Sequence, residues 1–563
     1  MELCIGGAKV EAFQFYGSAT AKPRWDRAEQ TEVLAEYDAR DPALSQRAFC
    51  ERGGVARSTL RNWEERRAAL PGPAAHVLFL ESPEGLTFLH RFEVAMHLTL
   101  HEEGAVGERV LGRLLKLSGL DSYIASSKGA LQDKAAAMDA AIVDFGALQE
   151  ARVQAHVCER REIGLVFDEM FRRGMDLLIA LEPHSGFVVL EVAAERRDHV
   201  TWSTALAPRL EVFPLTVRLG CGDLASGIKK CVEDDLELPY IPEVFHVQHE
   251  LSLATGAPLA RLQKEAEGAL EKIRARNGKV VAPTPATPAE LVAGGEAASE
   301  ALCAEALAAE ELSVATERRA QMGECRRGLG TAFHPFDLTT GVERSAEQVG
   351  ADLEAHVQRA RELSEAAGLS AARTAHLDKA ARALPAMAIG IAFFWEMVTA
   401  KLALLSAREA DLVRTLMLPG LYLLRAAGKV REQAPRAALR ERAHALLGRL
   451  ESDARWQHMS LLQRMALAHM AERLLDLFLR SSSALEGRNG YLSLRFFAWR
   501  TLSPLRLSAL TVLHNYWLKR ADGTTACQRL FDVVPEDLFD YLLTHVDWPA
   551  RPTTPGQGHK LLN

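Results

Sequence analysis

One carboxylate of this sequence lies in an apolar segment, where burial of its charge would be energetically unfavourable. Asp168 lies inside the apolar run Ile163-Gly164-Leu165-Val166-Phe167-Asp168-Glu169-Met170-Phe171, which is typical of a buried strand. Burial of its charge requires compensation by a cationic partner, a hydrogen-bond network or a metal ion. We favour a metal ion held jointly by Asp168 and two distant carboxylates, Asp223 and Glu486.

Each of the three carboxylates also has a structural explanation. Asp168 could pair with a buried arginine, Asp223 could cap the helix that follows it, and Glu486 could lie on a helix surface. Glu169 is a weaker ligand candidate, because side chains alternate along a strand and Glu169 would face away from Asp168. These alternatives stay open at the level of the residues alone.

The segments around Asp168 predict a mixed α/β sheet. In order, the apolar runs and turn residues predict strands at 163–167, 177–181 and 187–192, a helix at 198–207, a strand at 212–219, a helix after Asp223 and a fifth strand at 241–246. This β-β-β-α-β-α-β order is that of an RNase H-like core, in which the first and fourth strands are adjacent. Asp168 and Asp223 would then be neighbours.

Residues 42–70 have the pattern helix, glycine turn, helix. The second helix is predicted to start at Ser58, whose side chain would cap it. Four apolar residues would form the core between the two helices: Phe49, Val55, Leu60 and Trp63. The pattern resembles a helix-turn-helix, whose second helix enters the major groove of DNA, and Arg57, Ser58 and Arg61 are the candidate contacts. The alternative is an ordinary helical hairpin with solvated arginines.

After residue 251 the pattern is helical for more than two hundred residues, which predicts an all-α insertion into the α/β core. His334 and Asp337 interrupt it and are expected to fix a loop. The predicted domains are 1–37 (unassigned), 38–75 (helix-turn-helix), 76–158 (helical, a possible second DNA-binding unit), 159–256 (first part of the core), 257–479 (insertion), 480–535 (C-terminal part of the core) and 536–563 (tail).

The segment 480–529 is positively charged, unlike the chain as a whole. It holds eight basic and two acidic residues with aromatic residues between them, in a chain whose net charge is −7. A basic surface of this kind would neutralise phosphates. The alternative is that the aromatic residues form core and the arginines a solvated face.

Composition favours a folded cytoplasmic protein. The eight cysteines form no Cys-x-x-Cys pair, so neither a zinc ribbon nor a disulfide framework is indicated. The N-terminus lacks the basic and apolar segments of a signal peptide. The most apolar helical stretch, 386–395, is too short to span a bilayer, so we expect no membrane partner.

Four passages of the chain resemble a bacterial insertion-sequence transposase of the DDE class, of a poorly characterised group. They are Leu165–Phe171 with Leu181–Gly186, Gly220–Asp223, His334–Gly341, and Ser481–Gly490 running on to Asp522–Thr525. The likeness covers about 160–250 and 480–532, together with the short motif in the insertion.

This resemblance implies an RNase H-like catalytic core with an Asp-Asp-Glu triad, which by position is Asp168, Asp223 and Glu486. It also implies two Mg²⁺ (or Mn²⁺) ions, which serve both ends of a phosphodiester displacement. Asp168 would bridge both ions, and Asp223 and Glu486 would each hold one. Arg488 and Asn489 would contact the scissile phosphate or orient Glu486.

The resemblance implies double-stranded DNA as partner, both as transposon ends and as target, bound by a homo-oligomer in the nucleoid-associated cytoplasm. The function expected is metal-dependent end cleavage and strand transfer of an insertion sequence. Two alternatives remain: a catalytically inactive, transposase-derived DNA-binding protein, and a helical scaffold with an incidental α/β domain.

Overall fold

The computed structural model describes residues 25, 27–67, 75–172, 174–280, 288–499 and 502–552. Most of the unassigned N-terminal segment, residues 281–287 of the predicted insertion, Arg500 and the last part of the predicted tail lie outside these residues. The described chain divides into two compact units. The first unit consists of the described parts of Met1–His101, Glu108–Asp133 and Val546–Asn563. The second unit consists of the described parts of Glu102–Gly107 and Lys134–His545.

The first unit begins with a bundle of three helices, α1 (Arg27–Asp38), α2 (Gln46–Gly53) and α3 (Arg57–Arg67). Six buried residues form its core: Leu34, Tyr37, Cys50, Val55, Leu60 and Trp63. Ser45 caps α2, and Gly54 ends it with φ +65°, a left-handed conformation that glycine adopts without strain. The predicted helix, turn and helix are confirmed, and α1, from the segment left unassigned, completes the bundle.

The predicted capping of the second helix of the helix-turn-helix pattern, which is α3, by Ser58 is wrong. The helix α3 begins at Arg57, and the carbonyl of Ala56 accepts the N–H groups of Thr59 and Leu60. Ser58 therefore lies inside the first turn, where its side chain is exposed rather than capping the helix.

Four further helices precede the sheet: α4 (Ala75–Glu81), α5 (Pro83–Met96), α6 (Glu108–Leu117) and α7 (Lys128–His156). A π-helical segment, His97–Glu103, follows α5 directly, and a 3-10 turn at Leu120–Ser122 lies between α6 and α7. The helical character predicted for residues 76–158 is confirmed.

The sheet has five strands, β1 (Arg161–Arg172), β2 (Met175–Leu181), β3 (Val188–Ala194), β4 (Leu215–Gly222) and β5 (Tyr240–Pro242), with α8 (His199–Val212) before β4 and α9 (Ser226–Lys230) after it. The strand order is β3-β2-β1-β4-β5. The first three strands are antiparallel to one another, and β1, β4 and β5 are parallel. The predicted mixed five-stranded sheet of RNase H-like order is confirmed.

The fifth strand ends earlier than predicted. Pro242 is its last residue, and α10 (Val244–Val280) begins two residues later. The backbone N–H of Glu243 donates to Gly222 O at 2.9 Å, and that of Val244 donates to Arg480 O at 3.2 Å. Since these bonds fix the end of the strand, the apolar run beyond Pro242 continues as helix.

The described part of the insertion consists of helices joined by loops, one of which contains an isolated β-bridge between Phe336 and Glu343. After α10 it contains α11 (Pro288–Ala332), α12 (Ala346–Ala366), α13 (Ala371–Leu402), α14 (Ala407–Leu412), α15 (Leu418–Lys429), α16 (Gln433–Ser452), α17 (Ala454–Gln457) and α18 (Leu461–Asp476). The π-helical segment Val413–Met417 joins α14 to α15. The helices α10 and α11 pack against each other as a long hairpin.

The helix α13 is longer than the apolar stretch that predicts it. Its 32 residues are long and apolar enough to cross a membrane by length and composition. In this fold it packs against the sheet, where Gly390 lies against the side chain of Ile241 in β5, and Phe394 and Val398 are fully buried. This is the arrangement of a core helix, and the absence of a membrane partner stays a prediction.

The chain returns to the sheet after α18, through α19 (Ser483–Trp499), α20 (Pro504–Val512), α21 (Ala526–Phe531) and α22 (Leu538–His545). The π-helical segment Leu513–Trp517 extends α20. Its Asn515 side chain bonds both the N–H and the C=O of Val188 at 2.9 Å, so it covers part of the edge strand β3.

One buried hydrogen-bond network ties the insertion to the segment that leads into α19. Arg480 donates to Gly330 O at 2.8 Å and to His334 Nε2 at 2.5 Å. Because arginine can only donate, His334 Nε2 accepts and its Nδ1 faces the hydroxyl of Tyr422. Asp337 accepts the backbone N–H groups of Thr339 and Thr340, which closes the loop of this motif.

Candidate active site

The candidate site lies at the carboxyl ends of the parallel strands. In the β1–β4 ladder, Phe167 is paired with Gly222, so Asp168 and Asp223 are the next residues along two adjacent parallel strands. The strand β1 is central in the sheet and continues past Asp168 to Arg172. The predicted proximity of Asp168 and Asp223 follows from this register.

The glycines of β4 allow close packing beside Asp223. A Cβ at Gly220 would lie 2.6 Å from a methyl group of Val232, and one at Gly222 would lie 3.1 Å from Ile228 and 3.2 Å from the carbonyl oxygen of Phe167. The residues of α9 and of the segment after it could not pack so closely on the strand if these positions carried side chains. The Gly220-Cys221-Gly222-Asp223 sequence thus positions the end of β4.

Alternation along β1 separates the two neighbouring acids as predicted. Asp168 faces α19, whereas Glu169 accepts a hydrogen bond from the indole of Trp202 in α8 at 3.1 Å. Glu169 also lies 3.3 Å from Arg197. Burial raises the pKa of Glu169, and the hydrogen bond from Trp202 opposes that rise.

A residue of α19 closes over Asp168. The side-chain N–H of Asn489 donates to Asp168 Oδ2 at 2.6 Å, across 321 residues of chain. The other oxygen, Oδ1, accepts the backbone N–H of Glu169 at 2.8 Å. The Oδ1 atom of Asn489 is buried and has no hydrogen-bond partner among the described residues.

The charge of Asp168 is compensated by hydrogen bonds and not by a cation. Burial raises its pKa, the bonds from Asn489 and the Glu169 N–H oppose the rise, and the charges of Asp223 and Glu243 add to it. Within the described chain Asp168 forms no ion pair, so the alternative of a buried arginine partner is not what the fold provides. A carboxylate with acidic neighbours and no cation is suited to binding a positive ion.

Asp223 forms a local turn. Its Oδ1 accepts the N–H of Ala225 at 2.9 Å. The helix α9 begins after Ala225, which is its N-cap residue, and no side chain caps it. Asp223 therefore does not serve as the cap that the alternative explanation expected.

Glu486 lies in the first turn of α19, three residues before Asn489, and its side chain is exposed. Residues three apart lie on the same side of a helix, so Glu486 is on the side of α19 that meets Asp168. Among the described residues, no group of three or more His, Cys, Asp or Glu side chains is close enough together to hold a metal ion. The fold brings Asp168 and Asp223 together and places Glu486 on the adjoining helix without closing the three into one group.

Arg488 does not point outward. Its guanidinium forms two hydrogen bonds with the carboxylate of Glu191 in β3, one of them 2.8 Å long, and both side chains are 0% exposed. The predicted contact of Arg488 with the scissile phosphate is therefore not available in this structure. Arg488 instead fixes α19 on the sheet.

The same correction applies to the basic surface predicted at 480–529. Arg488, Arg495 and Arg506 are 2%, 1% and 7% exposed. Arg506 pairs with Glu102 and Asp139, and Arg495 donates to two backbone carbonyls and lies over the ring of Tyr491. These three arginines are buried, whereas Lys519 and Arg520 of the same segment are exposed, so much of the charge of this segment is internal.

Sequence reasoning missed one carboxylate of this region. Glu243 is 3% exposed and follows β5, the strand next to β4. It accepts the N–H of Ser482, the residue before α19, at 2.8 Å, and lies 3.2 Å from Nε2 of His246. It was missed because the fifth strand was predicted to run through it. Its position directly after Pro242 was the available signal.

The DNA-binding candidates of the first unit lie on one helix. Arg57, Ser58 and Arg61 are exposed on α3. Arg57 bonds weakly to Gln46 at 3.4 Å, and Arg61 pairs with Glu65 at 3.2 Å, an exposed i, i+4 pair. Such pairs contribute little, so both arginines are accessible to a partner.

Comparison with known proteins adds one finding. A family of unknown function, DUF6399, matches residues 413–557. The matched part runs from the end of α14 through the last helices of the insertion to the helices that return to the sheet, so it includes Glu486 and Asn489 but neither Asp168 nor Asp223. No curated protein matches the chain.

Proposed function

We propose that this chain is a DNA transposase of the DDE class, which cuts the ends of an insertion sequence and joins them to target DNA. The observation that carries the proposal is the 2.6 Å hydrogen bond between Asn489 and Asp168. It sets the first turn of α19, with Glu486, at the strand ends that carry Asp168 and Asp223. The bonded residues are separated by 321 positions, so the tertiary fold, and not local sequence, brings α19 to Asp168.

The donors present are suited to a hard divalent cation. Asp168, Asp223 and Glu486 supply carboxylate oxygens, and Asn489 has an unpartnered buried carbonyl oxygen. Oxygen ligands of this kind favour Mg²⁺ or Mn²⁺ over softer metals. Asp168, Asp223 and Glu486 would hold the metal, which would supply a Lewis acid for the phosphodiester displacement.

The two chemical steps balance without a further reactant. In end cleavage a water oxygen attacks phosphorus, the P–O3′ bond breaks, and the 3′-oxygen leaves as a hydroxyl. In strand transfer that hydroxyl attacks a phosphorus of the target strand, and the target's own 3′-oxygen leaves. Bound Mg²⁺ would lower the charge on the attacking and leaving oxygens. Asp168, Asp223 and Glu486 would hold the site, and Asn489 would hold the Asp168 carboxylate in place.

The substrate under this proposal is double-stranded DNA. Arg57, Ser58 and Arg61, exposed on α3, would read or grip the transposon end. Two ends must be joined to one target, so more than one copy of the chain would act together. A chain that acts on DNA in this way would work in the nucleoid-associated cytoplasm.

One observation favours a second candidate, a catalytically inactive DNA-binding protein derived from such an enzyme. The three carboxylates are not gathered into one group among the described residues, and Glu486 is exposed. This candidate predicts DNA binding without any metal-dependent cleavage.

The decisive experiment compares Asp168→Asn with Glu169→Gln. Both substitutions remove one acidic side chain from β1, but only Asp168→Asn removes one from the side of the strand that faces α19. The assays are Mn²⁺ binding by calorimetry, cleavage of duplexes that carry the DNA bordering the gene, and binding of the same duplexes by gel shift.

We expect Asp168→Asn to lose Mn²⁺ binding and to cut at least a hundredfold more slowly, with unchanged DNA binding, whereas Glu169→Gln retains all three activities. Cleavage by Asp168→Asn at the wild-type rate would refute the triad. Wild-type protein that binds DNA but neither binds Mn²⁺ nor cuts would establish the inactive candidate. If the wild-type protein does not bind DNA at low salt, the remaining explanation is a helical scaffold with an incidental α/β domain.

A further inference from the structure

The corner between α15 and α16 carries exposed positive charge. Arg431, Arg436, Arg440 and His444, here called the α16 basic face, line an open groove of about 940 Å³ together with Gln433, Ala437 and Glu441. The adjoining side of α16 is apolar. Its Leu439 and Ala443 are buried with Leu423 and Ala427 of α15. The basic face therefore lies at the edge of the packed side, where Arg440 and His444 are exposed.

The arginines of this face have no acidic partners. Among the described residues, Arg431, Arg436 and Arg440 form no ion pair, and Arg436 donates to the carbonyl oxygen of Arg431. Some other arginines of the insertion do pair with carboxylates, as do Arg274 with Glu305, Arg359 with Glu362, Arg361 with Asp378 and Arg414 with Glu343. The Nε atom of Arg436 is buried and has no hydrogen-bond partner in the part of the chain that the structure describes.

The spacing of the face suits a regular polyanion. Arg436, Arg440 and His444 are four residues apart, so each step rises about 6 Å along one side of the helix and the three span about 12 Å. A DNA strand advances about 3.4 Å per phosphate along its axis, so this length faces about three or four phosphates. Like charges four apart destabilise a helix slightly, and a bound polyanion would remove that repulsion.

We propose that the α16 basic face is a second DNA-binding surface, which contacts the phosphate backbone of duplex DNA without reading its sequence. The proposal rests on the proposed function in naming DNA as the polyanion. The open groove and its side chains offer contacts to phosphates and no enclosed pocket for a base. Of the arginines of 480–529, from which the sequence predicted this role, Arg488, Arg495 and Arg506 are buried instead.

The test replaces three arginines of the face together: Arg431→Gln, Arg436→Gln and Arg440→Gln. The matched control is Arg261→Gln, Arg359→Gln and Arg361→Gln, which removes the same charge from arginines of the insertion that pair with carboxylates. Binding to a 60-bp duplex of arbitrary sequence is measured by fluorescence anisotropy between 50 and 200 mM salt. Thermal melts check that both variants are folded.

We expect the basic-face variant to bind at least tenfold more weakly at 100 mM salt. The slope of log K against log salt should become shallower by about 2 to 3, because each phosphate contact contributes about 0.9. The control should stay within twofold of wild type. Equal losses in the two variants, or none in the first, would overturn the proposal.

Two further outcomes separate this inference from the proposed function. If the wild-type protein binds no duplex at 50 mM salt, the proposed function is refuted as well. If the wild-type protein binds and cuts DNA and the basic-face variant binds equally well, only this inference is refuted. Tighter binding of an RNA duplex, lost in the same variant, would reassign the face to RNA and overturn the proposal for DNA.

Discussion

At the scale of single residues, Glu243 connects the two parts of the core that the insertion separates. It bonds to Ser482 across 239 residues. Burial alone would raise its pKa, but hydrogen bonds from His246 and Ser482 outweigh that effect and lower it. Glu243 is therefore a charged anchor at the start of α19, and it acts on Glu486 and Asn489 through the position of that helix.

The substitution Glu243→Gln tests this positioning role. The amide can still accept the N–H of Ser482, but the charge that holds His246 is lost, so the start of α19 should loosen. We expect faster amide hydrogen exchange over residues 483–490 and a cleavage rate lower by about tenfold, since small misplacements of catalytic groups have effects of this size. DNA affinity should not change.

Glu250→Gln is the matched control. Glu250 is another buried glutamate, on the α10 helix that follows Glu243, and it pairs with His376 at 2.6 Å and Lys379 at 2.7 Å. Loss of the Glu250 charge should destabilise the insertion without changing the rate of amide hydrogen exchange at the start of α19. Equal effects of the two variants on exchange and cleavage would mean that Glu243 only stabilises the fold.

At the scale of elements, the helices that return to the sheet are held by buried polar groups. Arg488 and Glu191 join α19 to β3, and Arg506 joins α20 to Glu102 and Asp139. Burial raises the pKa of Glu102 to about 7, and the charge of Arg506 opposes the rise. Removing one partner of such a pair leaves an uncompensated buried charge, which costs about 3–5 kcal/mol.

His334, at the joint of α11, α15 and the entry to α19, predicts a dependence of stability on pH. Burial, followed by repulsion from Arg480 and Arg344, lowers its pKa well below the usual 6.5. The folded protein therefore keeps His334 neutral while the unfolded chain takes up a proton below pH 6.5. The stability that follows from this difference is present above pH 6.5 and is lost as the pH falls.

The loss should approach about 1.4 kcal/mol of unfolding free energy per pH unit below 6.5 for this one group. His334→Gln, which can still accept from Arg480, should flatten that part of the profile. His469→Gln, at an exposed position of α18, should not. Urea unfolding at pH 7.5, 6.5, 5.5 and 4.5 measures the three slopes, and parallel slopes for wild type and His334→Gln would contradict the prediction.

At the scale of the whole molecule, the two compact units divide the proposed work between DNA recognition and chemistry. The three-helix bundle offers Arg57 and Arg61 on α3, and the sheet unit holds the candidate active site. The chain carries a net charge of −7, so attraction to DNA must come from local surfaces rather than from the total charge.

The bundle is tested by Arg61→Gln against Arg47→Gln. Both arginines are exposed and pair with a glutamate four residues on, Glu65 and Glu51 respectively, but Arg47 lies on α2. We expect Arg61→Gln to relax the sequence preference found by selection from a random duplex library, because a base contact is worth about 1–3 kcal/mol. Arg47→Gln should retain that preference. The same preference in both variants would exclude α3 as the recognition helix.

The sequence alone determined those features that depend on local pattern. Apolar runs and turns predicted the strands and their order, and this order predicted that Asp168 and Asp223 are adjacent. The helix-turn-helix pattern and the helical insertion were also visible, because periodicity repeats within a few residues. The exposure of Arg57 and Arg61 followed from the apolar positions of the same short segment.

The tertiary structure decided which charged side chains are buried and which partners they have. Nothing near Arg488 predicts Glu191, which is 297 residues away. Arg488, Arg495 and Arg506 therefore resembled a surface although they are buried. Glu243 gained its role only when Ser482 returned to the end of β5, and Asn489 only when α19 lay over Asp168. Burial and charge pairing depend on residues that meet in space, and local sequence pattern contains no information about partners hundreds of residues apart.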